Sequence, residues 1–354
     1  MKNWYGELTP EMRRKYYRFL LEHRLNPGSI YSHTPSPAKE DISYCIEGGM
    51  NYFNLAYIHL KKDQERADLM STLRDYEAYL KANGWWEKAY VYGFDEIQPP
   101  LYHQLKEMFG LIGREFPGLK RMCTVIPKEE LDEYVDIWVP LTNDFDREVA
   151  DEYESRGDEV WWYTCCVPGH PYANWFIDYT AIEPRLLFWM NWKYKVPGYL
   201  YYALNMWQSN YQVEGVRDYI RPHEDLADRD AIKAGKRWPE VPWNTFSFGT
   251  YNGDGLLIYP GKNGPLSSVR LECIRDGIED YECFYALNEL VKEAEESGVN
   301  PKLAAKARKL LEVDEKAVKS VTSFTYDPKV LLRAREELFD TIEKLSRGLA
   351  KARH

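Results

Sequence analysis

The chain is predicted to fold as a (β/α)8-type TIM barrel, an α/β class, with a helical extension at its C-terminus. Three observations support this fold class. The 354 residues are 44% hydrophobic, enough for one large core. Short β-rich runs alternate with helical patterns, as in parallel sheets whose strands are joined by crossover helices. Most helical patterns stop at Gly or Pro, the expected end signals of helices.

Seven runs are predicted to be strands, and seven such units suit a closed barrel better than one open sheet. They are residues 28–32, 51–57, 89–93, 121–125, 136–140, 160–164 and 199–204. The helical patterns between them cover residues 69–82, 101–115, 146–155 and 182–194. A helix over 10–23 precedes the first of these strands, which leaves the barrel one strand short. Either residues 3–6 form a short first strand, or the chain begins inside a barrel.

After residue 204 the pattern changes. Residues 208–265 are polar and rich in Trp, Pro and Gly, which predicts a long functional loop after the last strand. Helices are predicted over 269–294, 301–311 and 328–349, with a linker at 314–325. The predicted domains are therefore a catalytic barrel, 1–296, which includes the long loop, and a helical extension, 297–354.

Charge and composition limit the partners. The net charge is −10 with no Lys/Arg block, which argues against nucleic acid. Runs of 18 apolar residues and an apolar leader are absent from the sequence, so we expect neither a membrane span nor secretion, and predict a cytoplasmic protein. The six Cys and the His residues lack metal-site spacing, so no metal or cofactor is expected. The oligomeric state stays open.

Aromatic residues make up 15% of the chain, an unusually high share. Many of them will fill the core. Trp and Tyr also stack on the apolar faces of sugars and bond their hydroxyls. The composition therefore leans toward a carbohydrate partner.

Two adjacent acids, Asp95 and Glu96, follow the predicted strand 89–93. Active sites of such barrels lie at the carboxyl ends of the strands, so these acids are the first candidates for catalysis. The structural alternative is that they only cap the following helix. Both side chains can face one site only if the backbone leaves strand geometry, which Gly93 would permit.

The sequence resembles glycoside hydrolase family 123, retaining β-N-acetylgalactosaminidases, through Gly93-Phe-Asp-Glu and several further motifs. These motifs lie at 161–166, 174–178, 185, 189–192, 198–202, 205–207, 252–261, 268–272 and 275–281. The resemblance spans about Leu8 to Leu290 and supports the barrel. It departs in one respect, because family members usually carry an N-terminal β-sandwich for which this chain has no room.

The resemblance implies substrate-assisted catalysis, an exception to the usual pair of separated carboxylates. The 2-acetamido oxygen of the sugar would attack the anomeric carbon and form an oxazoline. Asp95 would hold the acetamido N–H and stabilise the developing positive charge. Glu96 would protonate the leaving oxygen and then activate water.

Further residues are expected to bind the substrate. Tyr163 would bond the acetamido carbonyl, Trp207 would form the floor of the sugar site, and Asn205 would bond a hydroxyl. Weaker candidates are Tyr92, Asn174, Tyr202 and Arg24. Each of these residues has a structural alternative as a core or loop residue.

Three hypotheses of function follow from these residues. The first is a retaining β-N-acetylhexosaminidase, with N-acetylgalactosamine favoured. The second is a glycosidase with another sugar specificity, because barrels host many chemistries. The third is a non-catalytic sugar-binding barrel derived from a larger enzyme.

Overall fold

The computed structural model describes residues 5, 8–207, 231, 233–240, 245–247 and 251–353. These residues form a mixed α/β fold in which helices and parallel strands alternate along the first 200 residues. The helices are α1 (Pro10–Glu22), α2 (Lys39–Glu47), α3 (Asp63–Ala82), α4 (Tyr102–Glu115), α5 (Arg147–Ser155), α6 (Glu183–Lys193), α7 (Val269–Ser297), α8 (Pro301–Leu310) and α9 (Pro328–Ala352).

Several helices begin at the residues that the sequence favours there. Thr9, Asp146, Ser268 and Asp327 each accept a backbone N–H of the first turn through a side-chain oxygen, which satisfies a donor that the helix itself leaves unpaired. All the predicted helices are present, although α3 begins at Asp63 rather than at the predicted residue 69. The helix α2 was not predicted from the sequence.

Seven parallel strands bring their carboxyl ends to one edge. Five form one sheet in chain order, and two form a second, parallel pair. The strands are β1 (Phe53–Ile58), β2 (Ala89–Gly93), β3 (Lys120–Cys123), β4 (Ile137–Trp138), β5 (Glu159–Val160), β6 (Trp162–Tyr163) and β7 (Tyr199–Leu200). Trp161 alone separates β5 from β6, and its N–H donates to the carbonyl of Trp138 at 2.8 Å. The second sheet therefore continues directly from the first.

One predicted strand is wrong. Residues 28–32 form turns. Isolated hydrogen bonds, rather than a continuous strand ladder, join them to β1. The N–H of Tyr57 donates to the carbonyl of Ser32 at 2.7 Å, and the amide of Asn54 donates to the carbonyls of Ser29 and Ile30 at 3.2 and 3.0 Å. The alternative first strand at 3–6 falls, apart from Tyr5, outside the described residues. Eightfold closure stays a prediction.

The two faces of the sheet have different neighbours, because successive strand residues point to opposite sides. Val91, Cys123 and Trp138 pack against the helices α3, α4 and α5 in one cluster. Tyr90 and Tyr92 point to the other face. There they pack in a separate inner cluster with Met122, Ile137, Val139, Tyr163 and Leu200.

Shorter antiparallel pairs follow the parallel strands. They are β8 (Phe246–Ser247) with β9 (Tyr251–Asn252), β10 (Tyr259–Gly261) with β11 (Gly264–Leu266), and β12 (Val318–Ser320) with β13 (Ser323–Phe324). The last pair occupies the predicted linker at 314–325. Much of the predicted loop 208–265 lies outside the described residues.

The C-terminal helices join the rest of the chain through a buried carboxylate. Asp280 on α7 is fully buried and accepts from Arg185 at 2.7 and 3.0 Å, from Trp189 at 2.8 Å and from Arg335 on α9 at 2.7 Å. Apolar residues of α6, α7, α8 and α9 pack in the same hydrophobic cluster. The domain boundary at 296/297 stays a prediction.

Candidate active site

The turn after β2 carries Asp95 and Glu96 out of the strand. Phe94 and Glu96 have positive φ angles of 51° and 50°, which non-glycine residues rarely adopt. Such strain persists where surrounding contacts fix the backbone. The N–H of Phe94 donates to the carbonyl of Ile58 at 3.1 Å, and the N–H of Glu96 donates to Oγ1 of Thr124 at 2.8 Å. The side chains of Asp95 and Glu96 consequently do not point to opposite faces as successive strand residues do, and both are exposed.

Gly93 contributes to this turn differently from what the sequence suggested. Its own φ is not positive, so the change of direction falls on the residues after it. A Cβ at Gly93 would come within 2.7 Å of the Cβ of Ile58 and closer still to the carbonyl oxygen of that residue. The missing side chain therefore allows β2 to approach β1 at the point where the turn begins.

Three hydroxyl groups surround the carboxylate of Asp95. Tyr31 donates to Oδ2 at 3.0 Å, Thr124 donates to Oδ1 at 2.8 Å, and Tyr92 also donates to Oδ1. Tyr92 is fully buried and Thr124 is 4% exposed, whereas Tyr31 is 39% exposed. The carboxylate of Asp95 thus accepts hydrogen bonds from two buried residues and from one exposed residue.

Thr124 connects the two acids. Its Oγ1 accepts the backbone N–H of Glu96 and donates to the carboxylate of Asp95. The residue follows the last position of β3, which neighbours β2 in the sheet. One hydroxyl therefore fixes the backbone of one acid and the side chain of the other.

Glu96 has a separate partner, Tyr163. The hydroxyl of Tyr163 donates to Oε1 of Glu96 at 2.7 Å. Tyr163 ends β6 and is 5% exposed, and burial together with the Glu96 contact raises the pKa of its hydroxyl. The tyrosine therefore keeps its proton at neutral pH and acts as a donor to the carboxylate.

Comparison with known proteins gives this arrangement a family. The sequence pattern of the glycoside hydrolase 123 catalytic domain matches residues 14–287. The chain belongs to glycoside hydrolase family 123. Membership implies a glycosidase and hence a carbohydrate substrate. No curated protein matches the sequence.

The fold is similar to that of a solved family 123 glycoside hydrolase from Clostridium perfringens, whose structure was described for glycolipid glycan hydrolysis. The TM-score is 0.55 at 14% sequence identity, and the match covers 99% of this chain and 67% of that chain. This likeness supports the shared fold.

Two of the expected substrate-binding residues of this family 123 chain lie beside the acids. Tyr92 donates its hydroxyl to Asp95, and Tyr163 donates to Glu96. The hydroxyl of Tyr163 was expected to bond the acetamido carbonyl of the substrate. In the structure it is directed at Glu96. Both assignments as substrate-binding residues stay predictions.

Three other candidates have protein partners of their own. Asn174 is fully buried, and its amide donates to the carbonyls of Cys165 and Pro168 at 3.0 Å each, which pins the loop after β6. Tyr202 donates to Asp254 at 2.9 Å. Asn205 is half-buried and forms an isolated antiparallel bridge with Leu256. These contacts suit structural roles.

Trp207 was expected to form the floor of the sugar site, and the structure places it in a buried position. It is 2% exposed, its indole N–H donates to the carbonyl of Ile258 at 2.7 Å, and its ring lies 6.2 Å from that of Tyr16 on α1. Its cluster is also distinct from the inner cluster that holds Tyr92 and Tyr163. Packing against α1 suits a core residue, and the assignment of Trp207 to the sugar site stays a prediction.

Arg24, one of the weaker substrate-binding candidates, lies near the amino ends of the strands. It lines a cavity of about 800 Å³ together with Tyr90, Glu159 and Tyr199, which lie at or near the amino ends of their strands. No residue bonded to the side chain of Asp95 or Glu96 lines this cavity. The Nε atom of Arg24 lies 3.9 Å from Oε1 of Glu279 on α7. The assignment of Arg24 as a substrate-binding residue stays a prediction.

Sequence reasoning missed Tyr31 and Thr124. Thr124 lies within the predicted strand 121–125, so the rule that selected Asp95, a polar residue at a strand's carboxyl end, could also have selected it. Tyr31 holds the same position near the end of the predicted strand 28–32, so this rule could have selected it too, although its segment forms turns instead.

The described part of the chain contains no group of three or more His, Cys, Asp or Glu residues arranged to hold a metal ion. Within that same part, no helix is both long and apolar enough to cross a membrane.

Proposed function

We propose that this chain is a retaining β-N-acetylhexosaminidase, with N-acetylgalactosamine favoured, and that it acts by substrate-assisted catalysis with Asp95 and Glu96. Family membership supports glycoside hydrolysis in general. The finer proposal rests on how differently the two neighbouring acids are held. Asp95 is bonded by three hydroxyl donors, whereas the side chain of Glu96 is bonded by Tyr163.

The bonds to the carboxylate of Asp95 leave room for one more hydrogen-bond donor. An ionised carboxylate offers about four lone-pair positions. Three hydroxyls occupy three of these positions, which leaves room for the N–H of a 2-acetamido group. As that group closes into an oxazolinium ring, its nitrogen becomes positive, and the Asp95 carboxylate would stabilise this charge.

Glu96 supplies the proton chemistry in this proposal. In the first step the acetamido oxygen forms a bond to the anomeric carbon while the glycosidic bond breaks, and the Glu96 carboxyl gives its proton to the leaving oxygen. In the second step the Glu96 carboxylate takes a proton from water, whose oxygen attacks the same carbon and reopens the ring. Two inversions give net retention.

A panel of 4-nitrophenyl β-glycosides with and without the 2-acetamido group tests this function. We expect the N-acetyl-β-galactosaminide to be cleaved fastest, the N-acetyl-β-glucosaminide more slowly, and the plain galactoside and glucoside hardly at all. A disaccharide with terminal β-linked N-acetylgalactosamine, of the kind found on glycolipids, extends the panel because the structural neighbour acts on glycolipid glycans.

A thiazoline analogue of the N-acetyl sugar adds a test of mechanism. It mimics the cyclised intermediate, so it should bind much more tightly than the parent sugar, and Asp95→Asn should weaken that binding. Equal cleavage of glycosides with and without the acetamido group, with no thiazoline inhibition, would point to a glycosidase of another specificity. Absence of cleavage of every sugar, together with sugar binding, would point to a non-catalytic protein.

A further inference from the structure

A cavity of about 800 Å³ lies at the amino ends of the parallel strands, at the opposite end of the sheet from the acid pair. The strands run in order from β1 to β5 and then from β6 to β7, and in the described part of the chain no parallel strand joins β7 back to β1. Tyr52, directly before β1, and Tyr199, in β7, both line the cavity. Because side chains fill the interior of a closed barrel, the cavity can be traced to this interruption in the series of strands.

The walls of this amino-end cavity are mainly apolar. Trp175, Phe188, Leu257 and Ile274 line it, and none of these side chains is more than 7% exposed. The partly exposed ring of Trp161 lies in the same wall. Sites for small molecules typically have a volume of this order and an apolar, aromatic lining with a few polar groups. The cavity therefore has the size and the surface of a ligand site.

Tyr90 supplies a polar group to this apolar surface. Its side chain lies on the inner face of the sheet and is 8% exposed, and its hydroxyl has no hydrogen-bond partner among the described residues. Burial raises the pKa of this hydroxyl, so it keeps its proton and can donate. The indole N–H of Trp175 likewise has no partner in the described part of the chain. Buried donors without acceptors are unfavourable, so a ligand that brings an acceptor oxygen would be stabilised here.

The one acid deep in the cavity wall, Glu159, already has three donors. Tyr52 and Trp161 donate to its two carboxylate oxygens at 2.9 Å each, and Lys120 forms an ion pair with it. The carboxylate is therefore saturated by protein groups, and the neighbouring ammonium group disfavours a second cation in the same place. A positively charged ligand would find no available counter-ion at this acid.

The charges at the mouth of the cavity disfavour an anion as well. Glu22 and Glu282 line the mouth and are exposed. Arg24 lines it too, with its Nε 3.9 Å from Oε1 of Glu279. A buried charge without a partner is costly, so the cavity favours an uncharged ligand.

We propose that the amino-end cavity binds an uncharged, largely apolar ring compound that carries a hydrogen-bond acceptor such as a carbonyl oxygen. The hydroxyl of Tyr90 would donate to that oxygen, and the aromatic walls would pack against the ring. Tyr92, which bonds Asp95, follows Tyr90 by two residues on the same face and does not line the cavity. The site is therefore separate from the acid pair, and it does not depend on the proposed reaction.

Prodan, an uncharged fluorescent naphthalene ketone, is a suitable probe. Its emission moves to the blue in apolar surroundings and back towards the red when its carbonyl accepts a hydrogen bond. We expect wild-type protein to bind prodan with blue-shifted emission. Tyr90→Phe should bind it roughly 2- to 10-fold more weakly and with emission further to the blue, because the carbonyl loses its donor. Leu25→Trp should weaken binding on the order of tenfold, because the larger side chain takes up apolar surface that the probe would bury.

Tyr326→Phe and Leu332→Trp are the matched controls, because Tyr326 and Leu332 are 52% and 51% exposed and do not line the cavity. Both should bind prodan as wild type does. Tyr90→Phe removes a hydroxyl that bonds no other described residue, so it should unfold at the wild-type temperature, and its emission is read from bound probe alone. Failure of wild-type protein to bind prodan would overturn the proposal. Unchanged affinity and emission in Tyr90→Phe, or unchanged affinity in Leu25→Trp, would place the probe elsewhere and overturn it too.

Discussion

Tyr163 and Glu96 meet across the inner face of the sheet, with the tyrosine hydroxyl donating to the carboxylate at 2.7 Å although 67 residues separate them in sequence. Tyr163 ends β6, and Glu96 follows β2. Parallel strands bring their carboxyl ends to the same edge, which is why residues so distant along the chain can meet. The acid proposed for proton transfer thus has one buried and fixed hydroxyl as its partner.

Replacing Tyr163 with Phe should lower activity through Glu96. The change removes the hydroxyl that donates to Oε1 of Glu96 at 2.7 Å, so the carboxyl group is no longer held in place. We expect kcat/KM on an unactivated glycoside to fall roughly 2- to 10-fold, the equivalent of one hydrogen bond. Tyr199→Phe is the control, because it removes a tyrosine hydroxyl bonded to Thr164 instead. An unchanged kcat/KM in Tyr163→Phe would contradict the role assigned to this contact.

Replacing Thr124 with Val should impair catalysis through both acids. The change leaves the N–H of Glu96 and one bond of Asp95 without their partner, at a cost of about 1–3 kcal/mol. We expect kcat/KM to fall roughly 10- to 100-fold, and Thr124→Ser to recover most of the loss. Thr142→Val is a matched control, since Thr142 is equally buried and its hydroxyl has no hydrogen-bond partner among the described residues. A Thr124→Val variant as active as Thr142→Val would show that this hydroxyl does not organise the site.

The sequence predicted those parts of the fold and site that depend on local pattern. The strand 89–93 has the observed bounds of β2, and most of the predicted helices end within a few residues of the observed ones. Asp95 and Glu96 could be selected because a strand, a glycine and two acids follow one another directly. Each of these sequence signals spans only a few residues, so it can be recognised without knowing how distant segments of the chain pack.

The remaining features depend on contacts between distant segments. Trp207 follows the last parallel strand, as a mouth residue would, but packing with Tyr16 of α1 buries it. Tyr31 reaches Asp95 because its turns are bonded to β1 through the side chain of Asn54. Neither contact leaves a periodic trace in the sequence, so the pattern alone could predict neither the burial of Trp207 nor the contact between Tyr31 and Asp95.

Replacing Gly93 with Ala should destabilise the fold and disturb the turn. The new Cβ would overlap the backbone of Ile58, and such overpacking typically costs about 1–3 kcal/mol. Thermal unfolding should show a lower Tm, and kcat should fall because Asp95 and Glu96 follow directly. Gly348→Ala lies within α9, where the new Cβ would be 3.7 Å from Cγ1 of Val299, so it should instead stabilise the protein by about 0.5–1 kcal/mol. A Gly93→Ala variant with unchanged Tm and kcat would show that β1 and β2 can separate without consequence.

Replacing Glu96 with Gln tests the proton-transfer step most directly. A positioned acid contributes about 10²–10⁴-fold, so turnover of an unactivated methyl or disaccharide substrate should fall by this amount. A 2,4-dinitrophenyl leaving group needs no proton, so its release in the first step should be largely restored. Since Gln cannot accept a proton from water, the second step should stay slow, and stopped-flow measurement should show a burst of phenolate followed by slow turnover.

Glu133→Gln, at an exposed carboxyl after β3, should behave as wild type on both substrates. Wild-type turnover of the methyl glycoside by Glu96→Gln would exclude this residue as the acid. A loss that the activated substrate does not relieve would instead assign Glu96 to binding, because only an acid becomes dispensable when the leaving group departs unaided.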